Sequence, residues 1–143
     1  MKKAIVLTAI FFISAHSIQA QALKEKEVPV AVKESCMKTF PGATDVRWMK
    51  EENEYECTFM KMGSLMNCKM SKMGKVLETG EEIKQSALPA SILSYLNLHH
   101  KNEALTSIFK VKSNMGKIMY EMEVKGKEMT FDEKGKLIKM DKY

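Results

Sequence analysis

The sequence predicts an α+β fold, with helices on one face of a roughly eight-stranded antiparallel sheet. Three observations carry this. The chain repeats itself: Val28-Pro29-Val30 is answered about 60 residues later by Leu88-Pro89-Ala90, Tyr55-Glu56-Cys57-Thr58-Phe59 by Tyr120-Glu121-Met122-Glu123-Val124, and Gly74-Lys75-Val76-Leu77 by Gly135-Lys136-Leu137-Ile138. Each copy opens on a helical stretch and continues with segments that alternate every second residue. The turns between those segments are too short for a crossover, so neighbouring strands must pair antiparallel. The expected organisation is a signal peptide over 1–22 and two tandem units of one helix plus four strands, over 23–84 and 85–143.

The N-terminal segment reads as an export signal. Lys2 and Lys3 supply a charged start, Ala4 to Ala15 an apolar run, and Ala20-Gln21-Ala22 a small-x-small cleavage site. The run is too short for an ordinary membrane span. Cleavage is expected after Ala22, with Ala20 as the alternative. Leu23 to Glu27 then forms a charged lead-in.

The first helix runs from Pro29 to about Thr39. A proline suits its first turn, where the N–H would be unpaired anyway. Val32, Cys36 and Phe40 recur at every fourth position and mark the buried stripe, and Pro41-Gly42 ends the helix. Strands follow at Asp45 to Lys50, around Tyr55 to Phe59, at Leu65 to Met70 and at Val76 to Thr79, with turns at Met62-Gly63 and Gly74-Lys75. In the second unit the helix spans Pro89 to about Leu98. Strands are expected at Ile108 to Lys112, Tyr120 to Val124, Glu128 to Phe131 and Leu137 to Met140.

Composition and motifs narrow the function. Losing Lys2 and Lys3 takes the formal charge from +5 to +3, and lysines alternate with acids. This describes a solvated surface and not a nucleic-acid face. No nucleophile elbow, phosphate loop or metalloprotease helix is present. His99 and His100 are the histidines left after export, and adjacent helical residues point about 100° apart, which suits capping better than catalysis or a shared metal. The expected protein is not an enzyme and holds no cofactor.

The cysteines and methionines offer other chemistry. A two-residue turn at Met62-Gly63 sets Cys57 opposite Cys68, with Cα atoms about 5.5 Å apart, which makes them the disulfide candidate in an exported protein. A bridge using Cys36, or three buried free thiols, are the alternatives. Met60, Met62, Met66, Met70 and Met73 crowd the same hairpin. Soft thioethers beside thiols suit Cu(I), although Met66 and Met70 also read as core filler.

The sheet face away from the helices is the candidate binding surface. Alternation places Arg47, Met49, Glu56, Thr58, Met60, Leu65, Asn67 and Lys69 there in the first unit, and Glu121, Glu123, Glu128 and Thr130 in the second. Met49, Met60 and Leu65 are the expected exposed anchors, with Arg47 and Lys69 as directional charges.

Several strings carry a resemblance: Val28-Pro29, Phe40-Pro41-Gly42-Ala43-Thr44-Asp45-Val46-Arg47-Trp48, Tyr55-x-x-x-Phe59, Gly74-Lys75-x-Leu77-Glu78-Thr79 and Leu88-Pro89. The chain resembles the PepSY-like family of secreted bacterial proteins, also described as β-lactamase-inhibitor-like. The second unit departs from the pattern at His99 to Glu103. The resemblance implies a periplasmic or secreted protein of a Bacteroidota-type envelope. The function expected is a non-enzymatic, inhibitor-like module that contacts another envelope or secreted protein through Arg47, Met49, Met60, Leu65 and Lys69. The alternative is a Cu(I) or small-ligand carrier using the Met/Cys hairpin.

Overall fold

The strands follow one another across the sheet in chain order, β1 to β9, each antiparallel to the last. They are β1 (Gln21–Leu23), β2 (Thr44–Glu51), β3 (Glu54–Lys61), β4 (Ser64–Ser71), β5 (Val76–Glu82), β6 (Leu105–Ser113), β7 (Ile118–Val124), β8 (Lys127–Asp132) and β9 (Leu137–Lys142). Helix α1 (Val30–Thr39) lies between β1 and β2, and α2 (Ala90–His99) between β5 and β6. This is a computed structural model that describes residues 21–142. The expected signal peptide falls outside the described residues except for Gln21 and Ala22. Those two belong to β1, a ninth strand where the sequence suggested the end of the signal peptide and, at Leu23, the start of a lead-in; Leu23 pairs with Trp48 and Gln21 with Lys50.

Both helices start alike. The Pro29 carbonyl accepts from the N–H groups of Val32 and Lys33 at 3.0 and 3.1 Å, and the Pro89 carbonyl from Ile92 and Leu93 at the same distances. The helix exits also match, despite their different sequences. Phe40 N–H donates to the Cys36 carbonyl at 2.9 Å, and His100 N–H to that of Leu96 at 2.8 Å. Gly42 has φ +84°, and Asn102 takes the same left-handed turn at +67°, which asparagine tolerates better than most residues. The departure at His99 to Glu103 therefore leaves the chain path unchanged.

Strand register fixes the faces, because directly opposed residues point the same way. Trp48, Cys57, Cys68, Thr79, Lys112 and Ile118 form one row across β2 to β7. On that face Val32 and Cys36 of α1 pack with Trp48, Tyr55, Cys57, Phe59, Cys68 and Met70. Ile92 and Leu96 of α2 pack with Ile108, Tyr120, Met122, Val124, Met129 and Phe131. Fully burying a side chain of this size stabilises the fold by about 1.5–3 kcal/mol. The two cores are separate clusters. Between them the same face carries the opposed pairs Thr79–Lys112 and Glu81–Lys110, of which Glu81, Lys110 and Lys112 are exposed.

Candidate functional site

The opposite face forms a cleft. Its lining comes from seven successive strands: Glu56 of β3, Asn67 and Lys69 of β4, Glu78 of β5, Val111 of β6, Met119 and Glu121 of β7, Glu128 and Thr130 of β8, and Ile138 and Lys139 of β9. A flat sheet would set β3 and β9 about 29 Å apart at about 4.8 Å per step. That both line one cavity of about 240 Å³ means that the sheet curls around it. Val111 is only 3 % exposed, so the floor is apolar.

Local sequence builds the centre. Gly80 lies mid-strand opposite Asn67, and a Cβ there would collide with Asn67 Oδ1. The missing side chain lets Asn67 lie over the strand and donate from Nδ2 to Glu56 Oε1 at 3.2 Å. Lys69 Nζ stands 3.9 Å from both Glu54 Oε2 and Glu78 Oε2.

The charges share little water. Burial pushes the Glu56 carboxyl up to about 7, with Lys69 and the Asn67 hydrogen bond opposing. Burial also pushes Glu121 up to about 7, and the nearby Glu78 and Glu128 carboxylates add to it. Burial disfavours the charge on Lys69, but Glu78, Glu56 and Glu54 together outweigh it and raise its pKa. The cleft is thus a mixed acidic pocket around one half-buried ammonium, and it can take a cationic group with an apolar stem.

The expected binding residues divide around this cleft. Lys69 lines it. Arg47 is exposed at the β2 end, and Met60 and Leu65 are half-buried and opposed to one another outside it. Met49 is a correction: it is 9 % exposed and sits between Ala22 of β1 and Glu56, because β1 turns β2 from an edge into an interior strand. The sequence reading missed Glu78, Val111, Met119, Ile138 and Lys139. Gly80 was the available signal, since a glycine inside a strand often marks a close approach, but the strand was expected to stop at Thr79.

The other candidates settle differently. Cys57 and Cys68 are directly opposed, and Cys36 joins them; all three are buried free thiols. Among the described residues no three His, Cys, Asp or Glu side chains gather to hold a metal ion. Met62 and Met73 are exposed at 96 % and 82 %, away from the buried Met70 and the thiols. Met62 and Met73 thus stand outside the cluster in which Met66 and Met70 pack with the three thiols. His100 Nδ1 lies 2.7 Å from Glu103 Oε2, and that hydrogen bond holds the Glu103 carboxyl below its usual range. The His99 ring packs 4.5 Å from Tyr95. This pins the exit of α2. Among the described residues no helix is long and apolar enough to cross a membrane.

Solved structures share this architecture. A Bacteroides eggerthii protein described as a "putative periplasmic" protein superposes with a TM-score of 0.71 at 13 % identity, over 80 % of this chain and 88 % of its own. A DUF2874 family protein from Bacteroides uniformis gives 0.69 at 15 % identity, over 79 % and 88 %. A BLIP-like protein from Bacteroides fragilis gives 0.56 at 19 % identity, over 78 % and 83 %. No curated protein matches the chain. Residues 53–139 match the family model described as "Putative beta-lactamase-inhibitor-like, PepSY-like"; the chain belongs to that family.

Proposed function

We propose that this protein is a periplasmic or secreted, non-enzymatic binding module that contacts another envelope protein through the concave sheet face. The observation that carries the reading is the cleft itself, which gathers four carboxylates and two lysines over an apolar floor. The group that fits is an arginine or lysine on a protruding loop of the partner. Its stem meets Val111, Met119 and Ile138, and its charge meets Glu56, Glu78, Glu121 and Glu128. Arg47, Met60 and Leu65 then serve as the flank on the β2 side, and Met49 supports them from below. The periplasmic assignment draws on the described compartment of the relatives and on the export-like N-terminus. The matching helix starts and exits support reading the halves as copies of one unit whose open faces have diverged.

A photo-crosslinking residue at Thr130, in the cleft, tests this in the native envelope against one at Met37, which is 66 % exposed on α1. The expected result is one defined protein captured from Thr130 and not from Met37. Replacing Glu121 and Glu78 with glutamine should weaken that capture about tenfold, which corresponds to about 1.4 kcal/mol. Equal capture from both probes, or capture indifferent to the carboxylates, would refute the cleft as the binding site.

A further inference from the structure

The three thiols beneath α1 are not equivalent. Cys36 Sγ lies 3.2 Å from Cys57 Sγ. Cys68 faces Cys57 across the ladder, five pairs in from the Met62-Gly63 turn, with Lys61–Ser64 as the first. In a two-residue hairpin the first pair is hydrogen-bonded and the type alternates, so Cys57–Cys68 is a hydrogen-bonded pair. Such pairs sit at the wide end of a Cβ separation of about 4.5–5.5 Å, whereas a disulfide needs about 3.5–4.5 Å. The ladder keeps Cys68 within hydrogen-bonding reach of Cys57 but at the wide pairing distance, while helix packing brings Cys36 Sγ against Cys57 Sγ.

Access separates them too. A groove of about 590 Å³ between α1 and β2 is lined by Cys36 together with Lys33, Met37, Phe40 and Trp48, whereas Cys57 and Cys68 do not reach it. The hydrogen bond from Cys57 lowers the Cys36 pKa in spite of burial. Hydrogen bonding to Cys36 and Cys68, and then burial, raises that of Cys57. Cys36 is therefore the better thiolate, and it is the one beside the groove.

We propose that Cys36 and Cys57 are a redox pair entered from the α1–β2 groove, which a small-molecule disulfide converts to an internal bridge while Cys68 stays reduced. The Cys36 thiolate attacks the reagent disulfide, forms a mixed disulfide and releases one thiolate. Cys57 then attacks Cys36 Sγ, the Cys36–Cys57 bond forms, and the second reagent thiolate leaves with the Cys57 proton. The protein loses two hydrogens, and the reagent disulfide is reduced to two thiols. The groove wall sets Lys33 against Glu25 and Glu34, so its charge selects no sign of reagent, and oxidised glutathione serves as the probe disulfide. The inference is independent of the sheet face.

The experiment is to incubate the folded, reduced protein with oxidised glutathione, block free thiols with an alkylating reagent, and map tryptic peptides. Cys36, Cys57 and Cys68 fall in separate peptides, 34–38, 51–61 and 62–69. The expected product lacks two hydrogens, links 34–38 to 51–61, and carries alkylated Cys68. In Cys57→Ser the resolving thiol is gone, so one glutathionyl group should remain on Cys36. Cys68→Ser should bridge like the parent. A 57–68 link in the parent overturns the proposal. So do three free thiols in the folded parent when urea-unfolded protein oxidises in the same buffer. Should Cys57→Ser not fold, the parent map alone decides between these outcomes.

Discussion

At the scale of single residues, the cleft stores a cost that pH can reveal. Glu56 and Glu121 titrate at about 7 in the fold against an ordinary 4.5. Folding therefore makes both bind their protons more tightly. The stability this contributes is fully present below the unfolded value and is lost as pH rises through about 7. Urea unfolding of the parent should give a lower midpoint at about pH 8 than at about pH 5 from these two groups. Glu56→Gln with Glu121→Gln should flatten that difference and raise the midpoint at the higher pH. A double variant with the parent's full pH dependence would show that water reaches both carboxyls freely. Gly80→Ala is a second test at this scale. The added Cβ displaces Asn67 and breaks its bond to Glu56, at about 0.5–1.5 kcal/mol, and equilibrium denaturation should detect the loss.

At the scale of elements, the turns after β4 and β8 do more than reverse the chain. Gly74 has φ +80°, and a Cβ there would lie 2.5 Å from the Ala31 carbonyl oxygen in the first turn of α1. Gly135 abuts the Ser91 side chain in the first turn of α2, and Ser35 Oγ donates to the Gly74 carbonyl at 2.6 Å. Each turn therefore docks a helix onto its strands. Gly63 has the same φ of +80° but open space around it. Gly63→Ala should thus cost only the left-handed backbone, about 1–2 kcal/mol. Gly74→Ala must also push backbone from backbone, and should cost at least about 1 kcal/mol more. Equal losses for the two variants, read by chemical denaturation, would remove the docking role. The N-terminal strand makes its own prediction. Cleavage after Ala22 would leave only Leu23 of β1, while cleavage after Ala20 keeps the strand whole. N-terminal sequencing of exported protein should therefore begin at Gln21, and a start at Leu23 would mean that β1 is discarded.

At the scale of the molecule, one continuous sheet carries two separate apolar cores, with a polar seam at β5 and β6. Val32 and Ile92 are both fully buried, but in different clusters. Val32→Ala should cost roughly 1.5–2.5 kcal/mol and Ile92→Val about 0.5–1.5 kcal/mol. Because they share no neighbours, the losses should add within about 0.5 kcal/mol in urea unfolding, and a larger coupling would join the cores energetically. The sequence by itself determined the helices, eight of the strands, the turn residues and the face on which Cys57, Cys68 and Tyr55 lie. Those features follow from local rules: periods of two and about 3.6 residues, prolines at helix starts and glycines where φ turns positive. It also placed Lys69, Glu56, Glu121 and Glu128 on the open face, since alternation alone decides that. Only the tertiary structure decided that β1 covers β2 and buries Met49, that the sheet curls until β3 and β9 share a cleft, and that Cys36 approaches Cys57 more closely than pairing geometry suggests for Cys68. Each of these depends on how distant segments meet, and strand curvature and helix packing leave no periodic mark in the chain.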